Sequence, residues 1–136
     1  MTAIANDSFN KLEAHQRIPR MISDFQTVTE LADAKTQLTE LRDVLVAHFA
    51  EEEEAGGFFD ELRDVQPGNV PKIKELVEEH GTLLGQADSL RADLDSGTLE
   101  GLQPRIVELC EALREHHKCE HQLFLDSYLV DHGEGC

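Results

Sequence analysis

The chain is poor in aromatic and basic residues. Its 136 residues include no tryptophan and one tyrosine, whereas leucine is abundant, and this balance favours helices over sheet. Only 12 lysines and arginines stand against 28 acidic residues, for a net charge of -16. Such a surface repels nucleic-acid phosphates and anionic lipids, and no apolar run reaches membrane-spanning length. We therefore expect neither nucleic acid nor a membrane as a partner.

Cysteine is also scarce. Cys110, Cys119 and Cys136 form no Cys-x-x-Cys pair and are too few for a disulfide framework. The first ten residues lack the charged and apolar regions of a secretory signal. These features predict a cytoplasmic protein in a reducing compartment. The length predicts a single domain covering residues 1–136.

Apolar residues recur every three or four positions along four segments, which is the pattern of bundle helices. The predicted helices cover about 8–26, 29–55, 70–96 and 102–130. Turn signals lie between them at residues 67–69 and 96–98, and the first turn is predicted near residues 27–30. The sequence therefore predicts an all-α fold, an up-down-up-down antiparallel four-helix bundle.

Each predicted helix carries a histidine on its apolar seam. Glu52 follows His48 by four residues and Glu120 follows His116 by four, so each pair lies on one helix face. The midpoints between successive histidines of the last three helices fall at or near predicted turns. In an antiparallel bundle, these histidines would therefore lie at one level.

Glu52 and Glu120 occupy core positions in this register. A buried carboxylate without a partner costs several kcal/mol, and the seams carry too few Arg or Lys residues to pair them. Imidazole and carboxylate without thiolate suit Fe, Mn or Zn, and carboxylates that bridge favour two ions. The residues predicted to bind metal are His15, His48, Glu52, His80, His116 and Glu120.

Other polar residues lie near this set. His117 and His121 form a competing pair about 100° around the same helix, so we predict them at the rim or surface. Glu51 lies three residues after His48 and is a further candidate, although most of the acidic run at 51–54 is expected to face solvent. Cys119 is predicted as a small buried residue.

The chain resembles the hemerythrin-like family, also called HHE cation-binding domains. The resemblance covers nearly the whole chain and rests on residues 12–15, 48–52, 79–80 and 116–120 taken in order. It implies an oxo- or hydroxo-bridged non-haem di-iron centre inside a four-helix bundle. It also implies that Glu52 and Glu120 bridge the two irons. By the same resemblance, His15 and His48 bind one iron, and His80 and His116 bind the other.

One position departs from the oxygen-carrying members of that family. They have a second histidine one turn before the residue that matches His80, and here that position is Leu76. The ligand set is therefore four histidines and two glutamates, and Glu51, Glu79 or water is left to fill the gap. Open positions favour redox turnover, iron exchange or sensing over reversible oxygen carriage.

The leading hypothesis is a protein that binds or senses O2, peroxide or nitric oxide, or handles iron, rather than a dedicated enzyme. Apolar residues around the centre would exclude water, and the candidates for part of this wall are Leu45, Phe49, Leu123 and Phe124. The alternatives are a di-iron peroxidase or oxidase, an iron-donating repair factor, a histidine phosphotransfer module using His117, and a metal-free interaction bundle.

Overall fold

The apolar periodicity produces long helices joined by short turns. The computed structural model describes residues 16–128, which contain helices and turns and no strand. We number the helices in chain order. Helix α1 covers residues 16–26, and it is followed by α2 Leu31–Glu53, α3 Phe58–Val65, a 3-10 turn Pro67–Asn69, α4 Val70–Leu94 and α5 Leu99–Tyr128. The predicted all-α class is confirmed. The predicted ligand His15 lies outside the described residues.

Helices α1, α2, α4 and α5 form the bundle. Helix α4 packs against both α2 and α5, and α1 joins the same core through Ile18, Ile22 and Phe25. Because the connections are short, consecutive long helices run in opposite directions. The predicted up-down bundle is therefore confirmed.

Two apolar clusters divide the interior along the bundle axis. The larger one includes Leu83 and Leu113, and the smaller one includes Leu76 and Cys119. His80 lies between Leu76 and Leu83 in sequence. In the same way, His116 on α5 lies between Leu113 of the larger cluster and Cys119 of the smaller one. The polar core residues thus occupy the layer between two apolar clusters.

The helix ends differ from the predicted ones by a few residues. Helix α5 begins at Leu99, three residues before the predicted start, because the Thr98 hydroxyl accepts a hydrogen bond from Gly101 N at 3.0 Å. This is an N-cap, which satisfies an otherwise unpaired amide of the first turn. Helix α2 ends at Glu53, and Gly56 then turns the chain with a φ of 79°, a conformation that glycine adopts without strain.

Helix α3 is held against the end of the bundle by a buried amide. Asn69 Nδ2 donates to Leu62 O at 3.0 Å and to Ser127 Oγ at 2.9 Å. The hydroxyl of Ser127 in turn donates to Leu123 O at 2.7 Å. These bonds connect α3, the start of α4 and the end of α5, so α3 keeps a defined position beside the polar layer.

The cysteines correct one expectation. Cys110 is a free, buried thiol, but Cys119 is disulfide-bonded. Cys119 is buried, as predicted, but the prediction of too few cysteines for a disulfide framework did not anticipate its disulfide, so the cysteines no longer argue for a reducing compartment. None of the helices within residues 16–128 qualifies as a membrane span by length and hydropathy.

Candidate metal centre

Three of the predicted histidines meet in the bundle core. His48, His80 and His116 come from α2, α4 and α5, and each is at most 6% exposed. The rings of His80 and His116 are 4.9 Å apart between centroids. This proximity follows from the antiparallel arrangement, which brings residues equidistant from a turn to the same level.

Glu52 and Glu120 lie between these histidines, and each is 3% exposed. Glu120 Oε2 is 2.8 Å from His116 Nε2 and 3.2 Å from His80 Nε2. The two oxygens of Glu52 face different histidines, with Oε2 at 3.2 Å from His48 Nε2 and Oε1 at 3.2 Å from His80 Nε2. Both carboxylates therefore stand between histidines of different helices.

These side chains form two groups of donor atoms, and within each group all the atoms lie within 4.8 Å of one another. One group contains His80, His116 and Glu120, and the other contains His48, Glu52 and Glu120. Glu120 belongs to both groups. A carboxylate shared by two sets of nitrogen and oxygen donors has the arrangement of a bridge between two cations.

The donor set fits a cation better than it fits a self-contained polar cluster. Among the described residues, no Lys or Arg forms an ion pair with Glu52 or Glu120; their ion-pair contacts are to imidazoles. Both oxygens of Glu52 are buried and make no well-aligned hydrogen bond within the described part of the chain, although each lies 3.2 Å from a histidine nitrogen. Burial without such partners is costly, and a bound cation would remove that cost.

The outer nitrogens of two histidines contact carboxylates. Glu53 Oε2 lies 2.6 Å from His80 Nδ1, and Glu79 Oε1 lies 2.6 Å from His116 Nδ1. A carboxylate on Nδ1 fixes the tautomer that leaves Nε2 free to bind a metal, and it orients the ring. The Nε2 atoms of His80 and His116, which face Glu120, are therefore oriented by carboxylates on the opposite side of each ring.

Glu53 was missed by the sequence analysis, and Glu79 was assigned a different role. Glu79 was a candidate to fill the missing coordination position, but the structure directs it to the far side of His116. Glu53 belongs to the acidic run that was predicted to face solvent, and its side chain is 40% exposed. The sequence carried no signal for this contact, because the contact depends on how α4 is rotated against α2.

The electrostatics of the cluster couple its imidazoles to its carboxylates. Burial by itself would lower the pKa of His80, but the surrounding carboxylates, Glu120 first, outweigh burial and raise it to about 10. Burial favours the protonated form of Glu120, yet the neighbouring imidazoles lower its pKa. Without metal, His80 thus holds a proton near pH 7, and a metal ion must displace this proton to bind.

A family model agrees with this geometry. The model described as the hemerythrin HHE cation binding domain matches residues 12–127. The chain belongs to the hemerythrin family. No curated protein and no solved structure matches the chain. As a member of this family it is a cation-binding helical protein, and the groups around Glu120 are the residues that could hold the cation.

The position that departs from the oxygen-carrying hemerythrins is filled by apolar core. Leu76 is fully buried and packs in the cluster that contains Phe59 and Leu62. Nothing at this position can donate to a metal. Glu51, another candidate for the gap, is half-buried and lines a pocket beside His48.

Aromatic rings cover the candidate metal centre. Phe49 stacks on His80 with ring centroids 3.8 Å apart and 5° between planes, and its ring lies 5.7 Å from that of His116. Phe59 lies on His80 at 5.7 Å. The expectation that Phe124 belongs to this wall is wrong, because Phe124 is 38% exposed and packs near Phe58.

A small void adjoins the centre. It holds about 20 Å³, enough for one water-sized molecule. Its walls are mostly apolar, and they include His48, His116 and Glu120. The remaining lining residues are Ile18, Ile22, Leu45, Phe49, Leu113 and His117. Of the other predicted wall residues, Leu123 belongs to the smaller apolar cluster.

The second histidine pair of α5 lies at the rim. His117 is half-buried and lines the void, whereas His121 is exposed. Burial lowers the pKa of His117, so this ring is neutral near pH 7. Cys119 is 7% exposed and packs in the smaller apolar cluster. It belongs to neither donor group.

Proposed function

We propose that this protein is a non-haem di-iron protein that binds or senses O2 or another small molecule such as peroxide or nitric oxide. The observation that carries the proposal is the pair of donor groups that share Glu120. The adjoining apolar void, of about 20 Å³, supports a diatomic ligand. When bound, iron would supply reversible one-electron chemistry and open positions for a small ligand.

The residues that would hold the two ions follow the two groups. His80, His116 and Glu120 would hold one, and His48 with the carboxylates would hold the other, together with the predicted ligand His15. Glu53 and Glu79 would keep Nε2 of His80 and His116 directed inward. Phe49 and Phe59 would exclude water from the same rings.

Iron is preferred over the other metals that this donor set allows. Nitrogen and oxygen donors without thiolate suit Fe, Mn and Zn, and Cys119 belongs to neither donor group. Two donor groups that share the Glu120 carboxylate and adjoin an apolar void would suit a metal that reacts with a small ligand. Zinc and manganese remain the alternatives that elemental analysis would identify.

A second candidate is turnover of peroxide or donation of iron, and Leu76 favours it. This buried side chain stands where the oxygen-carrying members of the family have a histidine. Fewer protein donors would then surround one ion, and exchangeable positions favour turnover or release. Peroxide consumption above that of the same concentration of free iron would support this candidate. A half-buried His117 argues against phosphotransfer, which needs an exposed ring. A cytoplasmic location stays a prediction.

The test is metal content and an optical spectrum of protein purified aerobically without added metal. We expect about two irons per chain and near-ultraviolet bands of a bridged di-iron centre. Glu52→Ala and Glu120→Ala should lose most of the iron, while the exposed control Glu100→Ala should keep it.

Two results would contradict the proposal. One is a wild-type protein that contains no iron and takes up none from anaerobic Fe²⁺. The other is full iron content in Glu120→Ala, because this residue belongs to both donor groups.

A further inference from the structure

The wall of the bundle is interrupted beside the metal centre. Helix α2 ends at Glu53, one residue after Glu52, and α3 does not begin until Phe58. The break therefore lies beside the predicted ligands His48 and Glu52, which line the same pocket as Gly56 and Gly57.

A pocket of about 160 Å³ opens at this interruption. We call it the α2–α3 mouth, and it is lined by His48, Glu51, Glu52, Gly56, Gly57, Phe58 and Glu61. Its inner residues are the buried donors His48 and Glu52, and its outer residues include the exposed Glu61. The α2–α3 mouth is thus a path from solvent to one side of the centre.

Several contacts build this opening. A Cβ on Gly57 would lie 2.3 Å from Glu51 O, a separation that real Cβ atoms do not tolerate. Gly56 has a positive φ, and its amide donates to Asp60 Oδ2 at 2.8 Å. Glycine is therefore required at the break, and the Asp60 carboxylate stabilises the turn by accepting the Gly56 hydrogen bond.

The outer edge of the α2–α3 mouth is also held in place. The Tyr128 hydroxyl donates to a Glu61 carboxylate oxygen, which connects the end of α5 to α3. Phe58 packs on Phe59 with centroids 5.4 Å apart. The Glu61 charge is thus kept at the entrance, and one wall of the pocket rests on the core.

A buried acceptor points to the kind of ligand that enters. Glu52 lines the pocket and is 3% exposed, and its ion-pair contacts among the described residues are to imidazoles, with no Lys or Arg to neutralise its charge. The path from Glu61 past Glu51 to Glu52 therefore presents carboxylates at its entrance, on its side and at its inner end. Successive carboxylates attract a cation and give a neutral molecule such as peroxide no comparable advantage.

We propose that the α2–α3 mouth is the entry route by which a hydrated divalent cation reaches the metal centre. The inference rests on the proposed function, since it requires that the centre binds metal. The pocket volume of about 160 Å³ is several times the space that one water needs, so an ion can enter with part of its hydration shell. Glu61 attracts the ion, and His48 and Glu52 receive it.

The test measures how fast the metal-free, full-length protein binds Co²⁺, followed by its visible absorption in a stopped-flow instrument. Glu61→Arg reverses the charge at the entrance. Glu100→Arg makes the same change in net charge at the start of α5, about 30 Å along that helix from Glu120. At low salt we expect Glu61→Arg to bind about fivefold more slowly than Glu100→Arg, and this difference should shrink at high salt.

The amount of Co²⁺ bound at equilibrium separates this inference from the proposed function. Slower binding by Glu61→Arg with an unchanged final stoichiometry supports the entry route. Equal rates for the two variants, with full stoichiometry, overturn the entry route and leave the metal centre intact. A wild-type protein that binds no Co²⁺ and no Fe²⁺ at equilibrium overturns both.

A milder variant protects the test against a folding defect. Glu61→Gln keeps the size of the side chain and an acceptor for Tyr128, so the contact between α3 and α5 is preserved. It should also slow binding, by about twofold, because only one charge is removed. If Glu61→Arg does not fold, an unchanged rate in Glu61→Gln relative to Glu100→Gln overturns the proposal by itself.

Discussion

Replacing Glu79 by glutamine should weaken metal binding without unfolding the bundle. Glu79 Oε1 lies 2.6 Å from His116 Nδ1, and the His116 side chain is 4% exposed while that of Glu79 is 47% exposed. The glutamine keeps an oxygen that accepts from Nδ1 but loses the charge that makes the imidazole a stronger donor to metal. The partner of a metal-binding histidine contributes roughly 10- to 100-fold in affinity.

The half-exposed position of Glu79 sets the expected magnitude at the low end of that range. Solvent screens its charge, so Glu79→Gln should raise the dissociation constant about tenfold, or about 1.4 kcal/mol. Glu79→Ala also removes the acceptor and should cost more, approaching 100-fold. This graded order is a signature of ring positioning, because a purely structural role would not rank the variants by hydrogen-bonding ability.

The assay is competition for Co²⁺ against a chelator of known affinity, with the visible spectrum recorded at saturation. Glu78→Gln is the matched control, since Glu78 is the exposed neighbour on the same helix. The spectrum of Glu79→Gln should shift because the donor strength of His116 changes. Equal affinities for Glu79→Gln and Glu78→Gln, with identical spectra, would refute the reasoning.

Three further results are expected. Removing metal with a chelator should lower Tm by about 10 °C, because a metal at 100 times its dissociation constant stabilises the fold by about 2.7 kcal/mol; an unchanged Tm in calorimetry would contradict this. Gly57→Ala should lower the free energy of unfolding by about 1–3 kcal/mol, because its Cβ would meet Glu51 O. Gly81→Ala, with open space at its Cβ, should raise the free energy of unfolding by about 0.5–1 kcal/mol. Denaturant titration measures the free energy of unfolding of both variants, and changes of the same sign would contradict this prediction. Cys110 is fully buried and burial raises its pKa to about 11, so iodoacetamide at pH 8 should label it only after denaturation, as peptide mass spectrometry would reveal.

Most of the bundle could be predicted from the sequence because its signals are local. Steps of three and four between apolar residues predicted all four long helices. The turn signals at residues 67–69 and 96–98 lie at the observed connections. Helix α5 starts at Leu99, about three residues before the predicted start at 102, because the Thr98 cap begins the helix ahead of Pro104.

The residues of the candidate centre could also be selected from the sequence. His48 with Glu52, and His116 with Glu120, lie on one face by i to i+4 geometry, and the structure brings both pairs together with His80. The role of these residues as metal ligands stays a prediction, and His15 lies outside the described residues. The roles of Glu53 and Phe124 could not be predicted, because each depends on how a neighbouring helix is rotated.

The sequence by itself thus determined the helical class, the order of the helices and the five core polar residues that meet between α2, α4 and α5. These properties follow from helix periodicity and from equal distances to a turn, which require no knowledge of packing. Only the tertiary structure decided that Glu53 and Glu79 contact the outer nitrogens of two histidines, and that a pocket opens between α2 and α3. Such contacts join side chains on different helices, and their distances depend on the rotation and offset of whole helices, which local periodicity does not specify.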